Sequence, residues 1–148
     1  MDIEATPAGE GSIIPALKHY KQELSNQLSR QVYQVIVVTL GNKNFPDERQ
    51  EIKDQLVELA KLPCSIIVLD FTDSERQFFR NLSRGKFTNT TGEQIARDNI
   101  QYWRYDKLYA VDLGWRANLR ISQEFEQYIA LQPWSTKLDL YNLQNCPT

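Results

Sequence analysis

The chain has 148 residues, 41% hydrophobic and 24% charged, with 17 Lys+Arg against 19 Asp+Glu and a formal net charge of -2. This is the profile of one globular domain long enough to bury a core, and it excludes an intrinsically disordered chain. The near-balanced charge argues against bulk electrostatic binding of nucleic acid, and two cysteines, Cys64 and Cys146, are too few for a disulfide scaffold.

Residues 1–11 carry Pro7, Gly9 and Gly11 without apolar periodicity and read as a loose leader. They show no basic-plus-apolar signal pattern, so a cytoplasmic chain is expected. Ser12 is placed to cap a helix whose stripe is Ile13, Leu17, Tyr20, Leu24 and Leu28, with Pro15 in the first turn and Lys18 and His19 on the opposite side. Residues 31–40 (QVYQVIVVTL) follow, β-branched and apolar from Val35 to Val38 without alternation. Such a run predicts a strand covered on both faces, and it is far shorter than the ~20 residues of a membrane span.

Pro46, Asp47 and Glu48 open a second helix, with Ile52, Leu56, Leu59 and Ala60 on its buried face and Pro63 ending it. CSIIVLDF (64–71) is a second continuous apolar strand, so 31–71 reads as a parallel strand–helix–strand unit. A short helix is expected at 74–82, a polar glycine-containing loop at 83–93 and a third strand at 99–105. From Leu119 onward, Ile121, Phe125, Tyr128 and Ile129 mark a last helix broken by Pro133, after which Trp134, Leu138 and Tyr141 keep helical spacing. The expected fold is α/β and three-layered, with a mostly parallel sheet of about three strands flanked by helices. The expected organisation is the leader 1–11, a domain over 12–145 and a tail at 146–148.

Two segments carry a resemblance. Leu62-Pro63-Cys64-Ser65-Ile66-Ile67-Val68 is similar to a Leu-Pro-x-Ser-Ile-Ile strand, and Gly92-Glu93 with Ala96-Arg97-Asp98-Asn99-Ile100-Gln101-Tyr102 to a Gly-Glu…Arg-Asp-Ile-Val-Gln-Phe segment. Both belong to the copine family. The strand 33–41, the helix 47–61 and the closing LQPW (131–134) match that family in character and order. The resemblance runs from about residue 11 to 145. It implies the second half of a von Willebrand factor A-type domain, which in copines recruits protein partners, while separate modules bind phospholipid in a calcium-dependent way. The first half, with its strand-one metal motif, has no room before residue 11.

In that family a cation is held by three loops of oxygen ligands, as hard divalent ions require. The third loop, Thr-Asp-Gly in the family, here reads Thr39-Leu40-Gly41, so a carboxylate is replaced by a hydrocarbon. No metal or other cofactor is therefore expected. Asp70-Phe71-Thr72-Asp73-Ser74 also spells Asp-x-Thr-x-Ser, which makes Asp70, Thr72 and Ser74 weak candidates for magnesium or calcium. The preferred reading of that stretch is an Asx turn and helix cap.

Nucleophilic catalysis would need the single histidine, His19, which falls on a polar helix face, so no enzyme is expected. Cys64 reads as packing, and the carboxylate pairs Glu48/Glu51 and Glu124/Glu126 read as solvated helix surface. Two basic-aromatic clusters remain as partner-binding candidates: Arg76, Arg80, Arg84 and Lys86, interleaved with Phe78, Phe79 and Phe87, and Trp103, Arg104 and Tyr105. Packing of the Phe residues with the Arg residues left wet is the blander account of the first.

The sequence points to a non-catalytic protein-interaction module that uses a sheet edge or these basic-aromatic residues. A homodimer through the edge of the strand at 31–40 is a further expectation, while nucleic acid is not an expected partner and membrane contact is only indirect. The alternatives are a divalent-cation-dependent adhesion or phospholipid-recruitment module, and a degenerate gene fragment.

Overall fold

The computed structural model describes residues 12–26, 32–40, 46–72, 76–104 and 110–133. The expected leader 1–11, the tail 146–148, Ser74, Tyr105, Trp134, Leu138 and Tyr141 lie outside the described residues.

The described elements are α1 (Ile14–Asn26), β1 (Gln34–Leu40), a 3-10 turn at Pro46–Glu48 leading into α2 (Arg49–Ala60), β2 (Cys64–Asp70), α3 (Arg76–Leu82), β3 (Ile100–Arg104) and α4 (Ala110–Leu131). The strands form one sheet in the order β1-β2-β3. Both pairings are parallel, with Gln34 opposite Cys64 and Ile66 opposite Ile100. The fold is thus a small three-layer α/β arrangement.

Local sequence explains most of these elements. Ser12 Oγ accepts the Ile14 N–H at 3.3 Å and starts α1, satisfying one of the amides a helix start leaves orphaned. Ile14, Leu17 and Leu24 turn inward. α2 buries Ile52, Leu56, Val57, Leu59 and Ala60. Alternate strand residues Ile36, Leu40, Cys64, Ile66, Val68 and Ile100 join them, with Phe79 and Leu82 of α3, in one core cluster. This inner face, covered by α1, α2 and α3, is where the apolar burial is concentrated. Two consecutive crossovers of one hand place α2 and α3 on the same side of a 1-2-3 sheet.

The outer face has only α4 among the described elements. That helix starts at Ala110, nine residues before the Leu119 start the apolar spacing suggested. Its buried side is also rotated from the expected stripe. Ala117 and Glu124 are buried, whereas Leu119 is 52% and Phe125 41% exposed. Helical side chains recur every 3.6 residues, so a shift of one position turns the face by about 100°.

The largest departure is in β1. A run apolar on both faces predicted coverage on both, yet Val35 and Val37 are 44% and 54% exposed. Ile36 and Leu40, on the inner face of the same strand, are almost fully buried. α4 lies over β2 and β3, and its C-terminal half reaches only the foot of β1, where Phe125 and Tyr128 stack near Tyr33 at ring separations of 5.0 and 6.0 Å.

The connection between α3 and β3 is tied down by its own polar groups. Asn89 Oδ1 accepts the N–H groups of Thr91 and Glu93 at 3.1 and 2.8 Å. Asp54 of α2 accepts from the Thr90 amide and hydroxyl, each at 2.7 Å. These bonds hold the Asp54 carboxyl below its ordinary pKa. Gly85 sits at φ +67, where a Cβ would stand 2.6 Å from the Asp98 Cβ. Glycine is needed there for backbone conformation and for space.

Candidate functional site

The most organised polar cluster is one the sequence analysis used only as part of a resemblance. Arg97 precedes β3 and is 5% exposed. Its Nε donates to the Ala60 carbonyl at 2.8 Å. One terminal nitrogen donates to the carbonyls of Leu62 and Cys64 at 2.8 and 2.6 Å. The other donates to the Tyr33 hydroxyl at 3.1 Å and the Glu124 carbonyl at 3.0 Å. A guanidinium has five N–H donors, and all five are used.

Burying a cation is costly unless its donors are met and its charge is opposed. Here the acceptors cluster at the C-terminus of α2, where unpaired carbonyls and the helix dipole carry partial negative charge. The rings of Tyr33 and Tyr128 add cation–π contacts at 5.7 and 5.3 Å. Arg97 therefore ties the end of α2, the entry to β2, the foot of β1 and α4 together. The site is structural: every donor is spent on the protein.

Around it runs a chain of polar groups. The Tyr33 hydroxyl and Ser65 Oγ share a hydrogen bond at 2.8 Å. Burial raises the Tyr33 pKa against the pull of Ser65 and Arg97. Asn99 Nδ2 donates to the Cys64 carbonyl at 3.1 Å. Burial pushes the Cys64 thiol up to about 12, with Arg97 opposing the rise, which leaves it inert as a nucleophile at neutral pH.

Glu124 corrects the sequence reading. It was expected on solvated helix surface beside Glu126, and Glu126 is exposed, but Glu124 is 2% exposed against the sheet. Neither carboxylate oxygen has a well-formed hydrogen bond. Burial raises its pKa; Ser65, Arg120 and Gln101 offset part of that, and Asp98 adds to it. Arg120 lies between the two acids, 3.6 Å from Glu124 and 3.4 Å from Asp98. Asp98 is raised as well, again by burial, with Arg120 opposing. The cluster is a shared cation between two partly desolvated carboxylates under α4.

The remaining candidates separate. Asp70 Oδ1 accepts the Thr72 amide at 2.8 Å, the Asx turn expected of this stretch, and Oδ2 accepts the Tyr102 hydroxyl at 2.5 Å. Among the described residues no group of three or more His, Cys, Asp and Glu side chains is placed to hold a metal. His19 stands on the exposed side of α1, 3.5 Å from Glu23. Glu51, of the other carboxylate pair, meets Lys18 at 2.5 Å.

Arg80, Arg84 and Lys86 are exposed and Arg76 is half-buried. Phe79 is buried and Phe78 and Phe87 pack against the core, so the aromatic members of this cluster serve the interior. Trp103 is on the outer face, its indole N–H donating to Gln101 at 3.0 Å, whereas Arg104 alternates to the inner one. α3, which carries Arg76 and Arg80, packs against β3, so Arg104 shares its side of the sheet while Trp103 lies on the other.

What the structure does gather is apolar. Val35 and Val37 line the open outer face of β1, with Val32 48% exposed at its foot. At that foot Phe125 of α4, 41% exposed, stacks on Tyr33, while Trp115 (70%) and Leu119 (52%) are exposed elsewhere on the helix. Lone exposed apolar residues are ordinary, but a run of them along one face of an edge strand marks a candidate contact surface. Sequence could have found it only by knowing how many helices cover each face.

No family model matches the chain, and no curated protein matches it. No described helix is long and apolar enough to cross a membrane.

Proposed function

We propose that this chain is a non-catalytic protein-docking module whose docking surface is the open β1 side of the sheet. The observation that carries the reading is the exposure of Val35 and Val37 on a strand whose alternate residues Ile36 and Leu40 are fully packed. β1 is also an edge strand, and an edge offers its amides and carbonyls to a further strand while the exposed valines give that strand apolar contacts. The copine resemblance supports the same reading, since it implies a partner-recruiting role and the family's ligating Asp is replaced by Leu40. Asp70, the first residue of the alternative cation loop, is engaged on both oxygens within the protein, which favours docking over cation binding. A cytoplasmic setting belongs with this reading.

The test is quantitative capture by the full chain compared with a Val35→Asp, Val37→Asp double variant. Partners that use this surface, including a differently tagged second copy, fall by at least ~10-fold, the loss expected when charge is buried in an apolar contact. Equal capture by both forms rules out the β1 surface. An Arg80→Glu, Arg84→Glu variant that alone loses partners would move the docking site to the basic cluster.

A further inference from the structure

We infer that the partner of the β1 edge is a second copy of the same chain, joined antiparallel about a two-fold axis at Val37 into a continuous six-stranded sheet. The inference rests on the docking reading above and adds the occupant and the register.

The backbone supplies the register. In a parallel ladder, residues of one parity turn both their N–H and C=O to the same neighbour. The Gln34 amide donates to the Pro63 carbonyl at 2.9 Å, and the Leu40 carbonyl accepts the Phe71 amide at 3.3 Å. The even residues of β1 therefore face β2, and the groups of Val35, Val37 and Thr39 face the open edge. Antiparallel neighbours bond in pairs, alternating with non-bonded pairs. Centring a two-fold axis on Val37 pairs Val37 with its own copy and Val35 with Thr39 of the other chain, in both directions. Every outward amide and carbonyl between 35 and 39 then has a partner. Moving the axis by half a residue sets outward groups opposite inward ones, and moving it by a whole residue keeps the parity but leaves Val35 or Thr39 without a partner between 35 and 39.

The side chains agree with this register. Val35, Val37 and Thr39 share the outer face, so the pairing lays the exposed valines of both copies side by side in one apolar strip. β1 reads QVIVVTL. It holds no charge, so no like charges meet across the axis, and it has none of the Lys, Pro or bulge devices that keep edges apart. A self-complementary patch closes as a dimer and does not propagate.

Amide-resolved hydrogen exchange on the full chain, over a concentration series with sedimentation alongside, tests the occupant separately from the docking reading. At low concentration the Val35, Val37 and Thr39 amides exchange at least ~100-fold faster than those of Ile36 and Val38. At high concentration they gain protection as the mass moves from one chain to two. Val37→Lys keeps the far-ultraviolet spectrum, because the side chain is half exposed, and stays monomeric because two ammonium groups would face each other at the axis. In a Cys146→Ser background Val37→Cys cross-links on oxidation, since a bonded antiparallel pair places Cα atoms ~5.5 Å apart. Gln34→Cys does not, because its two copies stand about 20 Å apart along the strands. A monomer whose outward amides stay labile at every concentration overturns the second copy and leaves the docking reading standing. A monomer whose outward amides are always protected has covered its own edge and overturns both. A dimer that persists in Val37→Lys places the interface elsewhere and overturns the register.

Discussion

The two faces of this sheet are built from strands of the same composition and are stabilised in different ways. On the inner face, three helices close over Ile36, Leu40, Ile66, Val68 and Ile100, and apolar contact carries the stabilisation. On the outer face, one described helix closes its buried Glu124 over Ser65 and Gln101, and the contact is held by hydrogen bonds, a shared arginine and the Arg97 clamp. Where α4 does not reach, the same face leaves valines open. A polar interlayer fixes one geometry, because each donor needs its acceptor, whereas an apolar layer of similar area tolerates small slides. The outer layer thus sets where α4 sits, and α4's position decides which part of β1 stays free.

The contrast can be broken most severely at Arg97. Arg97→Ala leaves buried carbonyls without donors, and a loss of about 3–5 kcal/mol is expected in urea unfolding, the range for breaking a buried charged network. Arg97→Lys should recover little of it, since an ammonium has three donors and no planar fork. If Lys restores full stability, the clamp is not what joins the layers.

Next come paired truncations across the sheet. Ile66→Ala on the inner face should cost about 2–5 kcal/mol, while Val37→Thr on the outer face should stay within about 0.5 kcal/mol for the monomer. Similar losses at both positions would mean that β1 is covered on both sides after all.

Gly85→Ala should cost about 1–3 kcal/mol, because the left-handed backbone and the Asp98 contact both resist a methyl group. A thermal scan that shows no change would remove the close approach of this turn to the outer-face cluster.

The smallest expected effect is on pH dependence. Glu124 and Asp98 have raised pKa values, so the folded state binds protons more readily than the unfolded one. The destabilisation from their charged forms is absent below the unfolded values of 4.5 and 3.8. It grows as pH rises through the higher folded values. The contribution of this pair to stability should therefore increase as pH falls from above the folded values towards the unfolded ones, and Glu124→Gln should flatten that part of the slope. A slope unchanged in Glu124→Gln would assign it to other groups.

Sequence fell short where coverage decides the outcome. The run Val35–Val38 has the same character as Ile66–Leu69 of β2, yet β2 is central and buried while β1 is an edge. Nothing in residues 34–40 says how many helices will lie above them. Glu124 and Glu126 are both acids two positions apart, and only the rotation of α4 on the sheet puts one inside and the other in water. Arg97 carried no local signal for its clamp because its acceptors come from Tyr33, Ala60, Leu62, Cys64 and Glu124, all distant along the chain.

Periodicity, capping and turn residues are properties of neighbours in sequence. They determined the order of helices and strands, the Ser12 cap, the parallel crossover from β1 to β2, the Asx turn at Asp70 and the breaks at Pro63 and Pro133. Burial and electrostatic environment are properties of neighbours in space. Only the tertiary structure decided that Arg97 would be the joint between layers, that Glu124 would lie in the interior, and that Val35 and Val37 on the outer side of β1 would stay exposed.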